Sequence, residues 1–215
     1  MEQNAKQDIK NKIPFETIKR LSLYLRILKH QKQAGKENIL SSEITKYLNI
    51  TPEQFRKDLS YFGSMGKKGV GYNIDLLSSN LENILGIYDE SKIAIIGIGK
   101  LGSALLAYPG FFDFRLKICC AFDTDLGKIG KTWEGIKIED ISKMTAIIPE
   151  QNIKIAIITV PAEFAQEIAE KLVSCDIKGI LNFAPVDLNL PKEILVRNVD
   201  MASELMTLAY MVQKI

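Results

Sequence analysis

Apolar positions change rhythm partway along this chain. Over residues 14–30 they fall at Ile18, Leu21, Leu25 and Leu28, one stripe of a helix, with Pro14 near its first turn and Gly35 beyond its end. A short second helix is expected after Ser41 or Ser42, either able to cap it, with Ile44, Tyr47 and Leu48 turned inward. Thr51-Pro52-Glu53-Gln54 then supplies an N-cap hydroxyl, a proline at the first helical position and a glutamine three residues after the cap. It predicts a third helix from Pro52 to about Tyr61, stopped near Gly63. Gly66-Lys67-Lys68-Gly69-Val70-Gly71-Tyr72 reads as a glycine-rich turn joining two short strands. Three helices and a basic hairpin are the order of a winged helix. Residues 76–90, with Ser78-Ser79-Asn80, read as a linker holding a short helix.

From about Ser91 apolar runs alternate with helical patterns. Ile93-Ala94-Ile95-Ile96, residues 117–122, residues 153–160 and Gly179-Ile180-Leu181-Asn182 predict strands, and residues 162–173 a helix. Strands this apolar are covered on both faces, which implies a parallel sheet with helices on each side. The fold class is therefore α/β: an N-terminal winged helix, a Rossmann-type sheet and a C-terminal helix. In that last segment Met201, Ala202, Leu205, Met206, Leu208, Ala209, Met211, Val212 and Ile215 wrap well beyond one stripe. Such a helix needs burial on several sides, either in the core or against a second subunit.

Charge sharpens the division. The 215 residues hold 28 basic and 26 acidic side chains, but residues 1–79 carry 14 and 8, and the remainder 14 and 18. A basic surplus at the front suits a phosphate backbone. The expected organisation is a basic winged-helix domain over 1–79, a parallel-sheet domain over 80–199 and a terminal helix over 200–215. No apolar run approaches the roughly 20 residues that span a bilayer, and Met1-Glu2-Gln3-Asn4-Ala5-Lys6 lacks the apolar core of a signal peptide. A cytoplasmic protein with no membrane partner is expected. Three cysteines, with Cys119 and Cys120 adjacent, offer neither a disulfide framework nor a CxxC metal spacing, so no metal is expected.

Gly97-Ile98-Gly99-Lys100-Leu101-Gly102 follows the first buried strand and precedes a helical run, the context in which GxGxxG binds a dinucleotide. Gly97 permits the tight turn, Gly99 lets backbone N–H groups approach a pyrophosphate, and Gly102 lets helix and strand pack closely. Asp123, after the second strand, can accept the adenosine ribose hydroxyls and would repel a 2′-phosphate, favouring NAD(H) over NADP(H). A dehydrogenase also needs a proton donor. His30, the sole histidine, lies on the first helix; Tyr88…Lys92 precedes the first strand and Tyr210…Lys214 lies in the apolar terminal helix. None is placed for catalysis, and the chain is expected not to be an enzyme.

On the third helix, Phe55, Leu59 and Phe62 fall on one face, which turns Arg56, Lys57, Ser60 and Tyr61 outward together. Arg can grip guanine bidentately, while Lys, Ser and Tyr can reach bases or phosphates. Lys67 and Lys68 at the hairpin tip could neutralise the adjacent backbone.

Arg56-Lys57-Asp58-Leu59-Ser60-Tyr61-Phe62-Gly63, Lys68-Gly69-Val70-Gly71-Tyr72, the 97–102 loop and Ile177-Lys178-Gly179-Ile180-Leu181-Asn182-Phe183-Ala184-Pro185 resemble the Rex family, redox-sensing transcriptional repressors of bacteria. The resemblance runs from about Ile13 to the C-terminus. It implies a homodimer on a palindromic double-stranded operator, one NAD-binding domain per subunit and an exchanged C-terminal helix. It implies that Arg56, Lys57, Ser60 and Tyr61, with Lys67 and Lys68 in the wing, contact DNA. The nicotinamide would lie near Val160-Pro161 and Asn182-Phe183-Ala184-Pro185, and the family's switch trio is matched by Arg26, Tyr108 and Asp200. A residue that is bulky and aromatic in some relatives after the switch aspartate is Met201 here. Apolar Val160, Phe183 and Pro185 around the ring would favour neutral NADH over NAD⁺. Two other readings stand beside this: a small NAD-dependent oxidoreductase with an accessory helical domain, and a module for coenzyme A or ADP.

Overall fold

Leu21, Tyr24, Leu25 and Leu28 are completely buried along one face of α1 (Phe15–Gln33). α2 (Ser41–Thr45) packs against it, and α3 (Pro52–Ser60) packs on α2 and reaches α1 through side chains, Phe55 and Asp58 meeting Tyr24. Thr51 caps α3, its hydroxyl accepting the Gln54 N–H at 3.2 Å. The start of α2 differs from expectation. Its N-cap is Leu40, and the Glu43 carboxylate accepts the Leu40 N–H at 2.8 Å, so Ser41 and Ser42 lie inside the first turn. Ile44 is buried and Leu48 half-buried, but Tyr47 is 59% exposed, with Gln31 Nε2 donating to its hydroxyl at 3.1 Å. The hydroxyl is met at the surface, and the ring stays out.

The computed structural model describes residues 13–63, 65–66, 70–87 and 89–214. Lys67 and Lys68, expected at the wing tip, lie outside these. The expected hairpin is also paired differently. Strand β2 (Tyr72–Asn73) runs antiparallel to β1 (Asn38–Ile39), ahead of α2, and the described residues 62, 63, 65 and 66 are irregular.

Most of the segment read as a linker is helix α4 (Ile74–Leu85). Asn73 caps it through the Leu76 N–H at 2.9 Å, and Gly86 closes it in the left-handed region at φ 71°. Ile74, Leu77 and Leu81 are buried, and α4 packs on α1, with Lys29–Glu82 at 3.0 Å and a Lys32–Asp75 ion pair joining the two helices. The chain consequently divides into Met1–Asp89 and Glu90–Ile215, later than the 79/80 boundary that charge suggested.

The second unit holds β3 (Ser91–Ile96), α5 (Lys100–Leu106), β4 (Leu116–Asp123), β5 (Thr132–Trp133), β6 (Ile136–Asp140), α6 (Met144–Glu150), β7 (Ile155–Ile158), α7 (Ala162–Ser174), β8 (Gly179–Asn182), β9 (Leu195–Asn198) and α8 (Met201–Val212). One seven-stranded sheet has the order β5-β6-β4-β3-β7-β8-β9. Every neighbouring pair is parallel except β5–β6. With the antiparallel β5 set aside, the strands follow the doubly wound order of a dinucleotide-binding fold, and growth of the sheet reverses between β3 and β7.

Alternation along β3 feeds two cores. Ile93 and Ile95 pack with Ile118, Ala121 and Leu106 on one face. Ala94 and Ile96 pack with Phe122, Ile148, Ile158 and Leu172 on the other. Cys119 is a bulge between them: register passes from Ile93↔Ile118 to Ala94↔Cys120, and the Cys119 thiol lies 3.5 Å from the Ile93 carbonyl. The extra residue lets both neighbours of the bulge keep apolar surroundings.

Helix α8 is different. All its residues are exposed in the single chain, including Met201, Leu205, Met206, Leu208 and Met211. No helix among the described residues is long and apolar enough to cross a membrane.

Candidate functional site

Each glycine of the 97–102 turn meets a different constraint. Gly97 has φ 91°, and a Cβ there would stand 2.9 Å from Val160 Cγ1. At Gly102 a Cβ would come within 2.0 Å of the Gly97 carbonyl oxygen, which no side chain permits. Around Gly99 nothing lies within 4 Å, so the turn is open on that side. Thr159, at the end of β7, fixes the turn from across the switch point, its hydroxyl lying 2.6 Å from the Gly97 oxygen and 3.0 Å from the Ile96 oxygen, donating to one or sharing its proton. Ile98 is buried in the core, Lys100 and Leu101 open α5, and Lys100 is exposed.

The turn forms one wall of a cleft of about 370 Å³ at the C-terminal ends of the central strands. Gly97, Gly99, Asp123, Val160 and Pro161 meet there, although they are far apart in the chain. Thr124, Lys128, Ile141 and Thr159 contribute as well, and α7 adds Phe164, Glu167, Ile168 and Lys171. Sequence reasoning passed over all eight of these. Lys128 carried a usable signal, being a cation five residues after the acidic strand end. The α7 residues had only their place after a strand.

Asp123 is buried and already well used. Its Oδ2 accepts the Ile98 N–H at 2.7 Å and faces Lys128 Nζ at 3.3 Å; its Oδ1 accepts the Asp125 N–H at 2.8 Å. Burial pushes this carboxyl up, but the two backbone donors and Lys128 outweigh that and hold it below the usual carboxylate value. It is anionic at neutral pH.

Asn182, Phe183, Ala184 and Pro185 are not among the walls of this cleft. Asn182 is completely buried. Its amide nitrogen donates to Ala184 O, Val186 O and Asn198 Oδ1, while its oxygen accepts the Ala184 N–H at 3.0 Å. That side chain shapes the turn after β8. Phe183 is half-buried against the apolar core and Pro185 is exposed.

In the first unit, α3 turns Arg56, Lys57, Ser60 and Tyr61 outward, with Phe55 and Leu59 buried and Phe62 half-buried. Arg56 is held at the surface by Ser41 Oγ at 3.0 Å and Glu53 Oε1 at 2.6 Å, and Ser60 Oγ donates to the Lys57 carbonyl at 2.7 Å. Beneath them lies Asp58, to which the sequence pattern assigns no role. It is completely buried and accepts from Arg20 Nε at 2.6 Å, Arg20 Nη2 at 2.8 Å, Tyr24 OH at 2.7 Å, Gln54 Nε2 at 2.8 Å and Thr17 Oγ1 at 3.2 Å. Burial raises its pKa, and the hydrogen bonds from Arg20, Tyr24 and Gln54 more than reverse that. The Phe55 ring stacks edge-on to Tyr24 at 4.8 Å and to Tyr72 at 5.3 Å.

The remaining trio is split. Arg26 is exposed on α1 of the first unit, whereas Tyr108 and Asp200 belong to the second. Tyr108 is 52% exposed, and its ring lies so close over Gly110 that a Cβ there would stand 2.6 Å from it. Asp200 caps α8, Oδ1 accepting the N–H groups of Ala202 at 2.9 Å and Ser203 at 3.1 Å. Met201 follows it, exposed.

A helical DNA-binding unit joined to a dinucleotide-binding sheet defines a class of ligand-responsive transcriptional regulators. Residues 12–60 match the model of the putative DNA-binding protein N-terminus, and residues 88–186 that of the CoA binding domain. The chain is 39% identical over 202 residues to the redox-sensing transcriptional repressor Rex of Listeria welshimeri, covering 94% of each. Identity to the Rex repressor of Carboxydothermus hydrogenoformans is 42% over 203 residues, covering 94% of this chain and 98% of that one. Among solved structures, RSP in complex with β-NAD⁺ and operator DNA superposes with a TM-score of 0.87 at 32% identity, covering 94% of this chain and 93% of that one. RSP in complex with β-NADH superposes at 0.85 with 30% identity, covering 94% and 95%. The chain belongs to the Rex family of redox-sensing transcriptional repressors, and it is a repressor and not an enzyme.

Proposed function

We propose that this chain represses transcription as a cytoplasmic homodimer on a palindromic operator and leaves the DNA when NADH occupies its cleft. The carrying observation is the glycine turn at the switch point of the sheet, where Gly102 admits no side chain and Gly99 leaves an open cradle. A phosphate-sized group fits that cradle, and Asp123 stands in the same cleft for a ribose hydroxyl. The RSP structures, solved with β-NADH and with β-NAD⁺ and operator DNA, support the same pairing of ligand and nucleic acid.

When bound, the dinucleotide supplies redox information: its nicotinamide is neutral when reduced and cationic when oxidised. Val160, on the wall of the cleft, offers an apolar neighbour against which a cation loses hydration without a partner. Arg56, Lys57, Ser60 and Tyr61 read the operator, and Lys67 and Lys68 contribute cations to its backbone. Asp200 exchanges Tyr108 for Arg26 as the subunits close, so that the reading helices leave their register. The apolar surface of α8 is covered by the second subunit, which makes the repressor a dimer.

Gel retardation of a palindromic operator at fixed salt, with NADH, NAD⁺ or neither, tests the reading. NADH alone is expected to release DNA. Linkage requires operator DNA to weaken NADH binding by the same factor. Equal retardation under all three conditions removes the sensor. Turnover of small carbonyls, expected to be absent, separates this reading from an oxidoreductase.

A further inference from the structure

One cation at the lip of the cleft has no part in the scheme above. Lys128 Nζ stands 3.3 Å from Asp123 Oδ2 and 3.4 Å from Asp125 Oδ2, with its side chain 37% exposed. It is also one of the cleft walls.

Its position matters because Asp123 is nearly full. A carboxylate offers about four lone-pair directions. Oδ2 has spent two, on Ile98 N–H and Lys128, and Oδ1 one, on Asp125 N–H. The remaining direction suits a single ribose hydroxyl. Lys128, in contact with the same carboxylate, brings an ammonium group that can donate to a second hydroxyl of the diol. The electrostatics point both ways. Asp123 and Asp125 repel a phosphate on that ribose, whereas Lys128 attracts one. A lysine can answer either ligand because its charge sits on a flexible stem with three rotatable donors.

We propose that Lys128 is a specificity-determining residue of the adenosine end: it donates to the ribose diol and softens the rejection of a 2′-phosphate by Asp123. The inference rests on the dinucleotide reading of the cleft and deepens it. Without Lys128, a 2′-phosphate meets Asp123 and Asp125 without the cation that pairs with both, so discrimination sharpens.

The test uses ADP-ribose and 2′-phospho-ADP-ribose, which present the adenosine end without a nicotinamide. Their affinities for the full chain are measured by calorimetry at fixed ionic strength. Lys128→Met, which keeps the aliphatic stem, is expected to weaken the phosphorylated probe more than the plain one. The preference for ADP-ribose should rise about tenfold, the scale of a surface cation acting on a doubly charged phosphate. Lys128→Gln should raise it in the same direction, and Asp123→Asn should lower it. Added salt should shrink the difference between wild type and Lys128→Met. A preference unchanged by both lysine substitutions, or moved toward the phosphorylated probe, overturns the proposal while leaving the cleft reading intact. Wild-type chain that binds neither probe overturns the cleft reading and this inference together.

Discussion

The Tyr24 hydroxyl donates to the Asp58 carboxylate across 2.7 Å and ties α1 to α3 inside the first unit. Arg20 adds two further bonds from α1, so a buried anion holds α3 against its support. Removing one partner of a buried charge cluster leaves the others without compensation. Asp58→Ala is expected to lower stability by about 3 kcal/mol in urea unfolding of the full chain, at the lower end of losses from broken buried pairs because Arg20 is partly exposed.

The same carboxylate gives a pH dependence. Its folded pKa lies below the ordinary aspartate value, so the unfolded chain takes up its proton first as pH falls. Its stabilisation is complete above the unfolded value of about 4 and is lost as pH drops through the lower folded value. Unfolding followed from neutral pH downward should show a decline in that acid range, and the part due to this group should vanish in Asp58→Asn.

Arg56 is paired with Glu53, so the base contact proposed for it requires that pair to open. Glu53→Gln should therefore strengthen operator binding by about two- to fivefold, a modest gain because both partners are half-exposed or more. Arg56→Ala should reduce discrimination between operator and scrambled DNA by about 1–3 kcal/mol, as expected for a bidentate guanine contact. In the Arg56→Ala background Glu53→Gln should have little effect. A gain of the same size there would mean that Glu53 acts by simple repulsion of phosphate.

Two glycines of one loop should fail in opposite ways. Gly99→Ala adds a methyl group to open space and should leave the melting temperature near wild type while abolishing NADH-induced fluorescence change. Gly102→Ala drives a methyl group into the Gly97 carbonyl and should destabilise the second unit itself.

Leu205, 65% exposed on α8, supplies a test of assembly. Leu205→Glu should shift the chain to monomer in light scattering and weaken operator binding, since paired half-sites then engage separately.

Asp200 caps α8, and substitution can separate that cap from the partner exchange proposed for it. Asp200→Asn keeps an oxygen for the Ala202 and Ser203 N–H groups and should preserve α8 while blunting release by NADH. Asp200→Ala loses the cap as well, at about 1 kcal/mol.

The glycine turn was legible in the sequence because its constraints are local: a positive φ and a forbidden Cβ select glycine whatever surrounds it. Buried strands were legible for a similar reason, since Ile93–Ile96 is apolar on both faces. Asp58 was hidden because a charge on an amphipathic helix ordinarily faces water, and its partners Arg20 and Tyr24 come from another helix. The full length of α4 is not legible because Ser78-Ser79-Asn80 looks like loop with only a short helix after it, while the buried Leu77 and Leu81 lie on a helix that packs against α1. The hydrogen bonds of Asn182 to Val186 and Asn198 are not legible in the sequence, because they depend on where β9 lies.

The sheet ends, beyond β6, on a strand of two residues that runs backward and carries Trp133 at an exposed margin. So brief a border presents almost no row of free amides to a strange strand, and its opposite polarity breaks the template that the parallel interior would offer. Crowded copies of this protein are thereby discouraged from fusing along that side into fibrous aggregates, whatever cofactor they carry.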